Sequence, residues 1–222
     1  MKIHREGYRT LLPLGVFVLS ISALFWICIA WLWFKLVLLS GIALGFLFVT
    51  YFFRDPQRKF HQDTKAIIAP ADGEVIEIKK EWVSEFMNRE MIRVSILMWG
   101  YDVHINWIPA SGRIIYQQYH PGRNLIAKHP KASELNERST IVIERTNGDQ
   151  LLVRQIAGVL ARRVVTRTKP GQLVNQGDEL GFIKLGSRMD VFVPLNAIIH
   201  INVGVRTIGR QTVLASWANN VS

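Results

Sequence analysis

A serine that follows a glycine is placed to attack the carbonyl of the residue before it. This chain of 222 residues contains one Gly-Ser step, Gly186-Ser187. Glycine leaves the approach open and adopts the φ/ψ values of a strained turn. Such an attack would cut the chain and turn the serine into a new chemical group. The same dipeptide also suits an ordinary β-turn with a surface serine, and taken alone it allows either reading.

Other side chains could take part in proton transfer or binding. Of six histidines, His4 and His61 lie in or near the N-terminal region, His120 and His129 flank a Pro/Gly/Lys loop, and His200 falls in a late strand. His104 sits in Trp99-Gly-Tyr-Asp-Val-His-Ile-Asn-Trp-Ile-Pro-Ala-Ser-Gly112. Imidazole titrates near neutral pH, so His104 is a candidate for moving protons, and equally for a hydrogen-bonded structural histidine. Asp72, in Pro70-Ala-Asp-Gly-Glu-Val75, reads as a turn residue or an orienting carboxylate, and Asp102 as a turn residue before its strand. Arg162 and Arg163 end an apolar run and, on a strand, point to opposite faces. At least one would then face the interior or a ligand, where a guanidinium binds phosphate or carboxylate bidentately. The polar segment Lys131-Ala-Ser-Glu-Leu-Asn-Glu-Arg138 reads as a solvated helix or loop. Cys28 is the single cysteine, which excludes an intrachain disulfide and a CxxC site. No Walker motif, Gly-rich phosphate loop or zinc spacing is present, so no metal is expected.

The elements that would position these residues are strands. Ile67–Ile78 reads as strand, Asp-Gly turn, strand. Further strands are expected near 91–98, 102–108, 112–119, 139–145, 150–157, 160–166, 179–185, 188–193, 198–203 and 212–216. Turn signals such as Pro121-Gly122, Asn147-Gly148, Pro170-Gly171 and Gly177-Asp178 separate them. Short helices are expected near 80–88 and 130–137. Many short strands at this spacing predict a compact β-sandwich or barrel, and the turns at Pro70–Val75 and Gly171–Gly181 look like those of hammerhead-type barrels.

The N-terminus differs. Leu11 to Phe53 is 43 residues with one charge, Lys35, enough for two spans at roughly 20 residues each. They are expected near 11–31 and 34–53, with Trp31, Trp33 and Lys35 at an interfacial turn. Lys2, Arg5 and Arg9 precede the pair, and Arg54, Arg58 and Lys59 follow it. Positive flanks on both sides predict a re-entering hairpin with both ends on the cytoplasmic face of the cell membrane. The stretch is too long for a cleaved signal peptide. Residues 1–53 thus read as an anchor and 54–222 as a mainly β body that carries the candidate residues. The net charge of +10 divides equally between residues 1–60 and the remainder. It fits an anionic membrane surface or nucleic acid, but no basic stripe with interleaved aromatics favours nucleic acid.

Taken together, Phe53-Arg-Asp-Pro56, Ala69-Pro-Ala-Asp-Gly73, Asp102-Val-His-Ile-Asn106, Lys131–Arg138, Gln155-Ile-Ala-Gly-Val-Leu-Ala-Arg-Arg163 and Leu185-Gly-Ser-Arg-Met-Asp190 resemble the phosphatidylserine decarboxylases, in their short membrane-associated prokaryotic branch. The resemblance implies a pyruvoyl enzyme made by self-cleavage. Ser187 Oγ would attack the Gly186 carbonyl, and an N→O shift would give an ester. β-Elimination would release a β chain, residues 1–186, and leave dehydroalanine at 187. Hydrolysis with loss of ammonia would leave a pyruvoyl cofactor at the head of an α chain, residues 187–222. The two chains would stay associated as a heterodimer or a higher oligomer. The pyruvoyl ketone would form a Schiff base with phosphatidylserine and act as electron sink for its decarboxylation to phosphatidylethanolamine.

On this resemblance His104 is the candidate proton-transfer residue, Asp72 the orienting carboxylate, and Arg162 and Arg163 candidate substrate contacts. Longer members carry a second histidine three residues after the first. Here that position is Trp107, so either His104 serves both processing and turnover or another group, such as His120 or His129, activates Ser187. The same chemistry on another serine phospholipid, of archaetidylserine type, gives no different signal. A non-enzymatic membrane adaptor on the same barrel would instead keep Gly186-Ser187 as a plain turn.

Overall fold

The computed structural model describes residues 2–28, 31–123, 125–159, 163–184 and 187–218. It divides into two compact units, one ending at Gln57 and one beginning at Arg58. In the first, β1 (Lys2–Ile3) and α1 (Arg5–Cys28) are followed by α2 (Leu32–Phe52) and β2 (Arg54–Asp55). Helices of 24 and 21 residues are long and apolar enough to cross a membrane. At the turn between them Lys35 Nζ donates to the Trp26 carbonyl at 2.7 Å and lies 4.3 Å above its ring. The lone charge thus folds back onto polar and aromatic groups. At the other end β1 pairs with β2, and the His4 N–H donates to the Phe53 carbonyl at 2.8 Å. That pairing brings the two basic flanks together and carries this unit four residues past the 53/54 boundary expected from composition.

The second unit runs β3 (Ala66–Ile68), β4 (Gly73–Val83), β5 (Arg89–Met98), β6 (Ile105–Trp107), β7 (Gly112–His120), α3 (Ala132–Leu135), β8 (Arg138–Glu144) and β9 (Gln150–Ile156). It continues with β10 (Val164–Thr166), β11 (Leu173–Val174), β12 (Glu179–Ile183), β13 (Ser187–Val193), β14 (Ile198–Ile199), β15 (Arg206–Thr207) and β16 (Val213–Ser216). The main sheet has eight antiparallel strands in the order β11-β7-β8-β9-β13-β5-β4-β15 and curls into a half-barrel. Two three-stranded sheets, β10-β12-β6 and β14-β16-β3, accompany it. The mainly β body and the pair of apolar helices are as the sequence predicts.

Strand alternation sorts the side chains. On β13, Met189, Val191 and Val193 enter the main core with Val94, Ile96 and Met98 of β5. Burying each such aliphatic side chain contributes about 1.5–3 kcal/mol. Arg188, Asp190 and Phe192 point to the other face, which is also covered.

Three expectations shift locally. No helix forms over 80–88: β4 runs to Val83 and a tight turn, with Phe86 and Asn88 at positive φ, returns the chain into β5. Pairing of Val83 with Arg89 makes this a hairpin, because the nine facing pairs of β4 and β5 outweigh local helix preference. The strand expected over 102–108 begins only at Ile105, since residues 99–102 form a turn closed by the Asp102 N–H on the Trp99 carbonyl at 2.9 Å. The helix expected near 130–137 is reduced to the single turn α3.

Candidate active site

Ser187 is the first residue of β13, a central strand held by β5 on one side and β9 on the other. It is fully buried and faces Met98 across the β5 pairing. Its Oγ donates to Met98 Sδ at 3.2 Å. A thioether is a weak acceptor, so the hydroxyl is held in place without being drawn towards ionisation. Asn106 Nδ2 reaches the same sulfur at 3.7 Å. Behind it, Gln155 Nε2 donates to Asn106 Oδ1 at 2.8 Å, and Thr166 Oγ1 donates to Gln155 Oε1 at 2.7 Å while lying 2.8 Å from Ser139 Oγ. A polar line therefore runs from β8 through β10, β9 and β6 to the sulfur that holds the serine. Gly186, the other half of the expected scissile step, lies outside the described residues.

His104 precedes β6 and is completely buried. Its Nδ1 lies 2.9 Å from the Asp102 carbonyl oxygen. A carbonyl only accepts, so Nδ1 carries the hydrogen, and in the neutral form of the ring the lone pair lies on Nε2. The His104 carbonyl accepts the Ile183 N–H at 3.3 Å, and its ring lies 6.4 Å from that of Phe182. From Ile183 to Ser187 at most ~14 Å of extended chain is available. Asn106, two residues beyond His104, meets the sulfur that holds Ser187. Both ends thus bring His104 and Ser187 into one neighbourhood.

Asp102 fixes the turn that presents His104. Its carboxylate accepts the Trp99 N–H at 2.7 Å and pairs with Arg206. Burial pushes this carboxyl above its usual range. The Trp99 N–H and Arg206 pull it down, and the nearby Asp72 charge pushes it up further.

Asp72, the candidate orienting carboxylate, is held by Arg58 and Gly209. Its two oxygens each accept from Arg58 at 2.6 Å, and Oδ1 also accepts the Gly209 N–H at 2.8 Å. Arg58 in turn lies 5.0 Å above the Trp107 ring. Gly209 has to be glycine, since a Cβ there would come within 2.2 Å of the Trp107 ring. Arg58 thus joins Asp72 to Trp107. Arg163 is exposed and Arg162 lies outside the described residues. His129 is exposed and accepts the Lys131 N–H at 3.1 Å.

The sequence reading missed a second set of charged residues, on the far face of β13. Arg188 and Asp190 are both buried, with Nε donating to Oδ1 at 2.6 Å. Arg188 also donates to Ser95 Oγ at 2.8 Å, and Ser133 Oγ donates to Asp190 Oδ2 at 2.6 Å. Beyond Ser133, Arg154 pairs with Glu85 at 3.0 Å, and Glu85 with His120 at 2.5 Å. Burial alone would raise the Asp190 carboxyl. Arg188, Arg93 and the hydrogen bonds outweigh it and hold the carboxyl below the usual range. The segment 131–138 is therefore a clamp. Ser133 ties it to β13, and buried Asn136 donates to the Leu125 and Ala157 carbonyls at 2.8 and 2.7 Å. Its motif density was the signal; its partners, 57 residues away in the case of Asp190, were not legible.

A cleft of about 420 Å³ opens beside the end of β5, lined by Leu97, Met98, Trp99, Ile126, Lys128 and Val159 among others. Met98 belongs both to this cleft and to the serine's contacts. The arrangement brings together a buried serine hydroxyl, a buried imidazole and an apolar cleft.

The family model for phosphatidylserine decarboxylase matches residues 46–215. Three similar proteins are each named phosphatidylserine decarboxylase proenzyme. That of Amoebophilus asiaticus is 41% identical over 99% of this chain and 98% of its own length. That of Cytophaga hutchinsonii is 41% identical over 98% and 99%, and that of Bacteroides fragilis 43% identical over 97% and 95%.

Proposed function

Because the chain belongs to the phosphatidylserine decarboxylase family, we propose that it converts phosphatidylserine to phosphatidylethanolamine after cutting itself between Gly186 and Ser187. The observation that carries this reading is the setting of Ser187, a fully buried serine at the head of a central strand whose hydroxyl meets only a thioether among the described contacts. Conversion to a pyruvoyl group removes that hydroxyl, and losing a bond to a weak acceptor leaves no strong acceptor unsatisfied. The residues present therefore fit the group, with Met98 and Asn106 beside it. Once formed, its ketone supplies an electron-accepting centre for the substrate amine.

The chain's own residues do the rest. Ser187 Oγ attacks the Gly186 carbonyl, and the peptide nitrogen leaves to give an ester. Elimination breaks the Cβ–Oγ bond, releasing residues 1–186 as a carboxylic acid. Water then replaces the nitrogen left at 187, which departs as ammonia. His104 holds and returns the protons through Nε2, with Nδ1 anchored on the Asp102 carbonyl. With Trp107 in place of a second histidine, His104 serves both self-cleavage and turnover. Asp72 is a positioning residue that acts through Arg58 and Trp107. The pair of apolar helices anchors the enzyme in the cell membrane with its catalytic unit on the cytoplasmic face, where the excess positive charge meets anionic lipid.

Full-length protein in vesicles containing phosphatidylserine should release carbon dioxide. Ser187→Ala should stay a single chain and release none. His104→Ala should split more slowly and turn over ~10²–10⁴-fold more slowly. Wild-type turnover by Ser187→Ala would sink the proposal.

A further inference from the structure

The cleft beside β5 is larger and more apolar than self-cleavage needs. At about 420 Å³ it lies within the roughly 300–1,000 Å³ of small-molecule sites. Lys128 is the one charged side chain among its described lining residues. Met98, one of its lining residues, receives the Ser187 hydroxyl on its sulfur at 3.2 Å, so one residue links the cleft to Ser187.

Its mouth is unusual for a surface in water. Ile126 is 68% exposed, Val159 49% and Trp99 41%, and Tyr101, in the same turn as Trp99, is 56% exposed. Large apolar side chains scattered singly are ordinary, but clustered around one opening they mark a contact surface. The wall carrying Ile126 is built rather than loose. Asn136, buried, brackets the neighbouring Leu125 through both its N–H and C=O at 2.9 and 2.8 Å, and the Ile126 carbonyl accepts the His129 N–H at 2.8 Å.

The charge beside the mouth is basic. Lys128 lines the cleft, and Arg206 lies 5.5 Å from the Tyr101 ring with its side chain 46% exposed. Asp102, the carboxylate that pairs with Arg206, is buried. An apolar slot, an aromatic rim and cations beside it match a glycerophospholipid, which joins acyl chains to an anionic phosphate.

We propose that this cleft takes an acyl chain of the phospholipid substrate, with Lys128 at its phosphate and Trp99, Tyr101, Ile126 and Val159 seated in the bilayer surface. The proposal rests on the decarboxylase reading and adds where the lipid body lies.

The test uses full-length protein in phosphatidylcholine vesicles carrying phosphatidylserine with a photoreactive diazirine midway along one acyl chain. After irradiation, labelled peptides are mapped by mass spectrometry. Label is expected on peptides holding Trp99, Ile126 and Val159, and excess unlabelled phosphatidylserine should compete it away. Ile126→Glu/Val159→Glu should lose that label and raise KM for vesicle phosphatidylserine roughly tenfold or more, with kcat little changed. Chain splitting reports whether the variant folds; if it does not split, the wild-type label map decides. Label confined to residues 11–53 or to another face would overturn the proposal, as would an unchanged KM in a normally split variant. Failure of the decarboxylase reading looks different: no chain split and no carbon dioxide from the wild type, wherever the label falls.

Discussion

At the scale of single residues, β13 carries two kinds of chemistry on its two faces. Ser187 faces a thioether and the core, whereas Arg188 and Asp190 form a buried ion pair behind it. Removing one member of a buried pair leaves the other charge uncompensated, so Asp190→Asn should cost about 3–5 kcal/mol. Arg188→Met/Asp190→Leu should cost less, because it removes both charges. Thermal melting of the full chain in detergent measures both. The pH dependence has a definite sign. Asp190 is held below its unfolded value of roughly 3.9, so its stabilisation is present above that pH and is lost as pH falls through the folded value. Acidification below about pH 4 should therefore destabilise wild type more steeply than Asp190→Asn. The sequence singled out Ser187 and His104 because the chain's one Gly-Ser step and a motif histidine stand among segments that match jointly. It did not reveal the Arg58–Asp72–Trp107 stack, which joins segments that only folding brings together.

At the scale of elements, the alternating runs named most strands. What they misplaced were the stretches where pairing or a turn overrides local preference. The run 80–88 is drawn into a hairpin by its facing strand, and residues 102–104 leave strand geometry so that Asp102 can close a turn and present His104. The site depends on that departure, because a regular strand there would lose the Asp102 carbonyl contact that fixes the ring. The proposed cut falls between β12 and β13. Residues 187–222 contribute β13 and β15 to the main sheet, and β14 and β16 to the sheet that includes β3. β13 alone pairs along seven positions with β5 and five with β9. A severed α chain should therefore remain docked. Size-exclusion chromatography in detergent should show both chains in one peak, parting only on denaturation; separation under native conditions would contradict this account.

At the scale of the whole molecule, composition marked the change from an apolar N-terminal stretch to a strand-rich body, and the division at Gln57/Arg58 shifts it because β2 pairs back onto β1. Two helices of membrane-crossing length predict that the full chain resists alkaline carbonate extraction and stays with the membrane fraction. Recovery in the supernatant would remove the anchor. The central claim is that Ser187 is both the site of cleavage and the precursor of the reactive group, and intact-mass spectrometry of the purified protein tests it most directly. The account predicts two chains, residues 1–186 and residues 187–222, with the second lighter by one ammonia than a chain beginning with serine. A single chain of full mass, or a second chain that still begins with serine, would contradict it.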